Sequence, residues 1–222
     1  MNLLQDSFVY RQAKLSDQSE IMKFINDFWK PNHILGNDPD FFKYEHVNGS
    51  DINFFLAINK KTNSLSAIEG FIPYGQVPNC HVCGSILKVS PLEKVPLLGV
   101  EIMRQMLKKT NPQTYCGIGT NPKTMIPLAK KFFKRHVGIM DHYFFLNPSL
   151  SDYQIVKISK KNSHFLKKIR RDKGIAINNI KIADEKAIIN NYDKLFFEKN
   201  VPRKSLGYVL KRYLSHPIYS YK

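Results

Sequence analysis

The sequence predicts an α/β (α+β) fold in which helices flank a mixed central β-sheet. Three observations carry that expectation. Strand-like runs, alternating or continuously apolar, recur between segments whose apolar residues are spaced three and four apart. The order of these segments is strand, helices, three strands, helix, strand, helix, strand, which suits layers packed on one sheet. A hydrophobic content of 43% with 12% aromatic residues is enough for a packed core, which excludes wholesale disorder.

The elements follow in order. FVYRQAK (8–14) alternates as a half-buried strand does. Ser16 and Asp17 offer capping oxygens to a helix with Ile21, Phe24, Ile25 and Phe28 on one face. Pro31 and GNDPD (36–40) break the pattern before a short helical stretch at 41–47. INFFLAIN (52–59) and LSAIEGFIPY (65–74) flank a polar link and read as a hairpin. HVCGSILKVS (81–90) is the next strand. Beyond Pro91, Leu98, Ile102 and Met106, with Met103 and Leu107, set a helix over 97–109. TYCGIGT (114–120) reads as a strand and TMIPLAKKFFKRH (124–136) as a helix with Pro127 in its first turn. GIMDHYFFLNP (138–148) closes the unit as a strand. Past Pro148 the plan restarts, with a strand at 153–158, a basic helix at 162–171 and an amphipathic helix at 184–200.

The formal charge is +16, and residues 149–222 hold 17 of the 34 Lys and Arg but only 6 of the 18 Asp and Glu. Such an excess attracts phosphate-bearing partners: nucleotides, nucleotide-linked substrates, nucleic acid or an anionic surface. The basic tail has few interleaved aromatics, so nucleic acid is not the partner expected first. No apolar run approaches the roughly 18–20 residues that span a bilayer. The N-terminus lacks the basic flank and apolar stretch of a secretion signal, so a cytoplasmic protein is expected. Cys80, Cys83 and Cys116 cannot frame a domain of this size with disulfides, and CHVC (80–83) has no second half-site. Buried thiols and no metal are expected.

The chemistry concentrates where strand 81–90 runs into helix 97–109, because a helix N-terminus presents free N–H groups and the positive dipole end to phosphate. The segment there, KVPLLG (94–99), resembles the Arg/Gln-x-x-Gly-x-Gly/Ala motif of the GNAT (GCN5-related N-acetyltransferase) superfamily. Lys94 takes the basic position, Leu97 stands where the first glycine belongs, and Gly99 matches the last. The element order resembles the GNAT topology over most of 8–148, and Asn121 matches an asparagine of the family's fifth-strand/fourth-helix segment. Ala129 and Lys130 stand where the family often has a tyrosine acid. FWKPNHILGNDPDFFKYEHVN, NFFLAIN, GTNPKTMIPL and RYLSHPIYSY further resemble GNAT-like proteins of bacterial surface-polysaccharide biosynthesis.

The resemblance implies a GNAT-like acyltransferase domain over 1–148. A basic C-terminal extension over 149–222 then resembles the start of a second GNAT-like module, truncated or naturally short. It implies acetyl-CoA or another acyl-CoA as cosubstrate, held by Val89, Lys94, Leu98, Gly99 and Asn121. The expected acceptor is a small-molecule amine such as that of a nucleotide-linked amino sugar, in a protein with room to be a homodimer.

Acyl transfer to an amine needs a base for the ammonium proton and a donor for the thiolate. Glu69 interrupts an apolar strand, where a charge is costly unless it faces a cleft or solvent. His142 and Tyr143 alternate on the closing strand, so at most one enters a given cleft. These three are the catalytic candidates; His33, Asp38 and Tyr74 are the substrate-binding ones. Two other readings stay open: a non-catalytic GNAT-like binding module, and a tandem aminoacyltransferase using charged RNA.

Overall fold

The computed structural model describes residues 3–140, 184–195 and 201–219. The first compact unit comprises residues 1–135 and 183–222; the second, 136–182, lies almost wholly outside the described residues. The elements expected at 153–158 and 162–171, and the strand at 138–148 beyond its first three residues, also lie outside them. Residues 138–140 take no regular structure.

A short helix, α1 (Leu3–Ser7), leads into β1 (Phe8–Lys14). Then come α2 (Gln18–Phe24), extended by a π-helical turn over Ile25–Trp29, and two further helices, α3 (Ile34–Asn37) and α4 (Pro39–His46). The strands β2 (Val47–Asn48), β3 (Asp51–Asn59), β4 (Leu65–Pro73) and β5 (His81–Val89) follow. Then come α5 (Leu98–Thr110), β6 (Thr114–Gly117) and α6 (Met125–Phe133). Two helices, α7 (Glu185–Leu195) and α8 (Leu206–Val209), complete the described chain, α8 running into a π-helical turn over 210–214. The expected α/β architecture, a mixed sheet flanked by helices, is what the structure has.

The sheet runs β1-β3-β4-β5-β6, with β2 also on β3. All pairs are antiparallel except β5 with β6, which are parallel because α5 carries the chain back across the sheet between them. Both faces are covered. Ile52, Phe54 and Leu56 of β3 point to a core with Ile21, Phe24, Ile25 and Phe42, while Phe55 and Ala57 point to a core with Leu98, Ile102 and Met106. That double burial explains why β3 and β4 read as continuous apolar runs.

Two local expectations are corrected. Asp17 does not cap α2: its carboxylate turns back to accept the Lys14 N–H at 2.7 Å and the two Arg11 guanidinium nitrogens at 2.6 and 2.7 Å. This fixes a 3-10 turn (Leu15–Asp17) through which β1 enters the helical layer. The second correction concerns α4, which begins at Pro39 rather than 41. The Asp38 carboxylate accepts the N–H groups of Asp40 and Phe41, and proline suits the first helical position.

Within the first unit, the segment over 201–219 is tied to α4 and to the end of β4. The Ser205 N–H donates to the Tyr74 carbonyl at 2.6 Å, the Tyr44 hydroxyl donates to the Lys211 carbonyl at 2.6 Å, and Arg212 pairs with Glu45. Among the described residues no helix is long and apolar enough to cross a membrane.

Asp17 is buried, with 8% of its surface exposed, and its paired state holds its carboxyl below the ordinary carboxylate range, chiefly through the Arg11 hydrogen bonds. Its stabilisation is therefore present at neutral pH and fades as pH falls through that lowered value. Asp17→Ala should lower the unfolding free energy by about 1–3 kcal/mol at pH 7, less in acid, as read by urea unfolding at several pH values.

Candidate functional site

The parallel ladder between β5 and β6 is short. It runs from His81 opposite Thr114 to Gly84 opposite Gly117 and ends there. Beyond that point β5 continues from Ser85 to Val89, paired on its other side with β4, while β6 stops. The carboxyl ends of two parallel strands thus part, which in open α/β sheets is where ligands are received.

Glu69 of β4 points to the α5 side of this region, the face of its strand neighbours Ala67 and Phe71. Only 1% of its surface is exposed. The Tyr115 hydroxyl, reaching from β6 across the intervening β5, donates to Glu69 Oε1 at 3.1 Å. It can cross only because residue 84 is glycine: a Cβ there would lie 1.9 Å from the hydroxyl oxygen. The Arg135 guanidinium lies over the Tyr115 ring, 3.9 Å from its centre, and donates to Met103 Sδ at 3.2 Å. Glu69 Oε2 is buried without a hydrogen-bond partner.

These contacts set the electrostatics. Burial pushes the Glu69 carboxyl up to about 8, against the smaller downward pull of the Tyr115 hydrogen bond and the Arg135 charge. Tyr115 is raised well above its ordinary range, first by burial and then by the neighbouring Glu69. The result is a carboxyl that changes charge just above neutral pH, with one oxygen oriented by a phenol and the other buried without a hydrogen-bond partner.

The loop from Ser90 to Leu97 leaves the carboxyl end of β5. Glu93 ties it to the sheet, its Oε1 accepting from Asn59 Nδ2 at 3.1 Å and Ser66 Oγ at 2.5 Å. Leu97 sits in the left-handed region, with φ 63° and 46% exposure, and Pro96 is also exposed. The position where the resembled motif has glycine therefore does take a glycine-favouring conformation. Leu98 is 1% exposed and packs into the core, so it offers a ligand its backbone and not its side chain. Gly99 lies over Val89, whose Cγ2 would be 3.4 Å from an added Cβ. Lys94 is exposed and donates to the Pro91 carbonyl at 3.3 Å. The Val100 and Glu101 N–H groups already donate to the Leu97 carbonyl at 2.9 and 3.0 Å, so the helix-opening donors left for a phosphate are those of Leu98 and Gly99.

The remaining candidates fall elsewhere. Asn121 Oδ1 accepts the N–H groups of Lys123 at 2.9 Å and Thr124 at 3.2 Å, holding the turn before α6. His33 caps α3 by accepting the Leu35 N–H at 3.2 Å and packs on Trp29, and Asp38 caps α4. Both belong to the helical layer opposite the face that carries Glu69. Tyr74 is buried just past the end of β4, with its hydroxyl 4.0 Å from Cys116 Sγ. His142 and Tyr143 lie outside the described residues.

Sequence reasoning missed Tyr115 and Arg135. A glycine inside the strand HVCGSILKV was the available signal, since such a glycine marks the close approach of another group. Two grooves lie away from this constellation. One, of about 460 Å³, runs along α2 from Gln18 to Asp27; the other, of about 690 Å³, lies between β1 and the C-terminal end of α5. Among the described residues no group of three His, Cys, Asp or Glu side chains could hold a metal ion.

No family model matches the chain, and no curated protein matches it. Solved structures resemble it at low identity. An acetyltransferase of Trypanosoma brucei is 11% identical, with a TM-score of 0.45 over 63% of this chain and 99% of that one. The aminoglycoside N-acetyltransferase AAC(6')-Iy in complex with CoA is 13% identical, with a TM-score of 0.44 over 63% and 94%. A GNAT family acetyltransferase of Staphylococcus aureus is 16% identical, with a TM-score of 0.38 over 58% and 81%.

Two outcomes are expected. Because the folded Glu69 binds its proton more tightly than the unfolded one, wild-type stability should fall as pH rises from 4.5 to about 8. Glu69→Gln should flatten that limb by an amount on the order of a few kcal/mol, measured by thermal or urea unfolding across the range. At the α5 entry, Leu97→Gly should be more stable than Leu97→Ala by about 1 kcal/mol, because both lose the same side chain and only glycine is unstrained at this φ.

Proposed function

We propose that this chain is an acyl-CoA-dependent N-acyltransferase that transfers an acetyl or similar group to a small amine by direct attack on the thioester. The observation that carries the reading is the buried Glu69 carboxyl, oriented by Tyr115 beside the parting ends of β5 and β6. The acceptor favoured is the amine of a nucleotide-linked amino sugar, in keeping with the +16 charge.

Acyl-CoA is a substrate in this scheme. Its pyrophosphate fits the α5 N-terminus, where backbone N–H groups and the dipole favour an anion and Lys94 stands close in sequence. Val89 and Gly99 form the adjoining packed floor, and Asn121 begins the segment after β6. Glu69 Oε2, which is buried and has no protein partner, takes the proton from the incoming ammonium relayed through water. The free amine then attacks the thioester carbonyl; the new C–N bond forms as the C–S bond breaks, and the thiolate leaves to be protonated. A carboxyl with its pKa near 8 becomes a base only above neutral pH, where it can take a proton from an amine and release it again. The Tyr115 hydroxyl keeps Glu69 Oε1 occupied so that Oε2 is the reacting oxygen.

A second reading has its own observation. Leu97 in place of glycine, and Ala129 buried where a helix tyrosine would stand, favour a module that binds an acyl-CoA without turning it over.

Calorimetric titration with acetyl-CoA, followed by an acetylation assay on a nucleotide-linked amino sugar, tests both. Binding with turnover is expected, with a rate that rises toward alkaline pH around a midpoint near 8. Glu69→Gln should lower kcat by roughly 10²–10⁴-fold while leaving acetyl-CoA binding intact. Absence of any binding heat would overturn the acyl-CoA reading, and binding without turnover on any amine would establish the non-catalytic module.

A further inference from the structure

On the face of the sheet opposite Glu69, one lysine occupies a pocket of tyrosines. Lys204 Nζ lies 5.6 Å from the ring centre of Tyr74 and 5.8 Å from those of Tyr208 and Tyr213, and donates to the Tyr213 hydroxyl at 3.4 Å. Three electron-rich faces attract an ammonium group without neutralising it. Among the described residues no carboxylate pairs with Lys204.

The lysine is held there by its own segment. The Ser205 N–H donates to the Tyr74 carbonyl, the Tyr192 hydroxyl donates to the Lys204 carbonyl, and Tyr208 packs edge-on against Tyr74 with centroids 4.8 Å apart.

Its position relative to the parting strands follows from register. Cys83 and Cys116 face each other across the parallel ladder, one step before Gly84 and Gly117, where the ladder ends. The Tyr74 hydroxyl is 4.0 Å from Cys116 Sγ. Lys204 Nζ lies 5.6 Å from the centre of that same Tyr74 ring, which puts the amine near Cys116 and the end of the ladder. An aliphatic primary amine, of the chemical class that the proposed reaction consumes, is thus fixed beside the vertex where β5 and β6 diverge.

We propose that Lys204 is an internal acceptor, acylated by this protein on itself when acyl-CoA is present. The inference rests on the acyl-transfer reading and extends it to a modification site. The Lys204 ammonium releases one proton to solvent, and the free amine attacks the thioester carbonyl. The C–N bond forms and the C–S bond breaks, and the second nitrogen proton passes to the leaving thiolate, giving a neutral amide and free coenzyme A. Acylation removes the cation from the three rings and with it the attraction that holds the Lys204 head group there.

The test is incubation of the full chain with acetyl-CoA alone, with peptide mass mapping over time. Urea-denatured chain and the exposed Lys61 and Lys123 serve as references. Lys204 should gain one acetyl group at least roughly tenfold faster than either reference lysine, and the advantage should vanish on denaturation. Lys204→Arg, checked by circular dichroism, should abolish the fast label. Labelling of Lys204 at the rate of Lys61 and Lys123 would overturn the proposal. If acetyl-CoA binds and an added amine is acetylated while Lys204 stays at that background, the internal acceptor falls and the transferase reading stands. If calorimetry shows no acetyl-CoA binding, the transferase reading falls and the internal acceptor falls with it.

Discussion

A carboxyl group enclosed by an apolar core and answered by one phenol is the constraint around which the rest is arranged. Charging it there is costly, so burial raises Glu69 until its proton is exchanged just above neutral pH. The single donor, Tyr115, must come from two strands away, which requires that the strand between carry no side chain at Gly84. It also requires β6 to run parallel to β5 in a register that brings residue 115 level with residue 82. Arg135 then covers the Tyr115 ring and supplies the only described cation that moderates the carboxyl's rise.

The same short ladder organises both faces. Because side chains alternate along β6, Tyr115 and Cys116 point oppositely. Tyr115 reaches Glu69 on the α5 side, whereas Cys116 meets Tyr74 on the other, where the 201–214 segment brings Lys204, Tyr208 and Tyr213. One side thus holds a proton acceptor and the other an amine surrounded by aromatic faces. The parting of β5 and β6 beyond Gly84 and Gly117 lies next to both.

Particular residues show how far the sequence could be read. The strand at 8–14 and the helix at 97–109 were legible because each buries one face whose period, two or about 3.6, is written in its apolar residues, whereas the strands at 52–59, 65–74 and 81–90 were legible as β-rich apolar runs bounded by turn residues. The start of α4 was missed because Asp-Pro reads locally as a break, while Asp38 in fact caps and Pro39 opens a helix. Asp17 was misread for a related reason. Its side chain had several acceptable partners nearby, and Arg11, brought alongside by β1, outcompetes the helix N–H groups. Glu69 was legible as an anomaly, but its burial was not. Alternation alone favoured solvent over a cleft, and the packing of α5 on that face buried the residue instead.

The sequence by itself determined the layered α/β plan, the basic excess and the peculiarity of a glutamate inside an apolar strand, because periodicity and composition are local quantities. The contacts among Glu69, Tyr115, Arg135 and Gly84, and those among Lys204, Tyr74, Tyr208 and Tyr213, were decided only by the tertiary structure. They join residues from separate strands and from far along the chain. No spacing within one segment encodes such a contact: it arises when strand register, a parallel crossover and a returning tail bring the segments together.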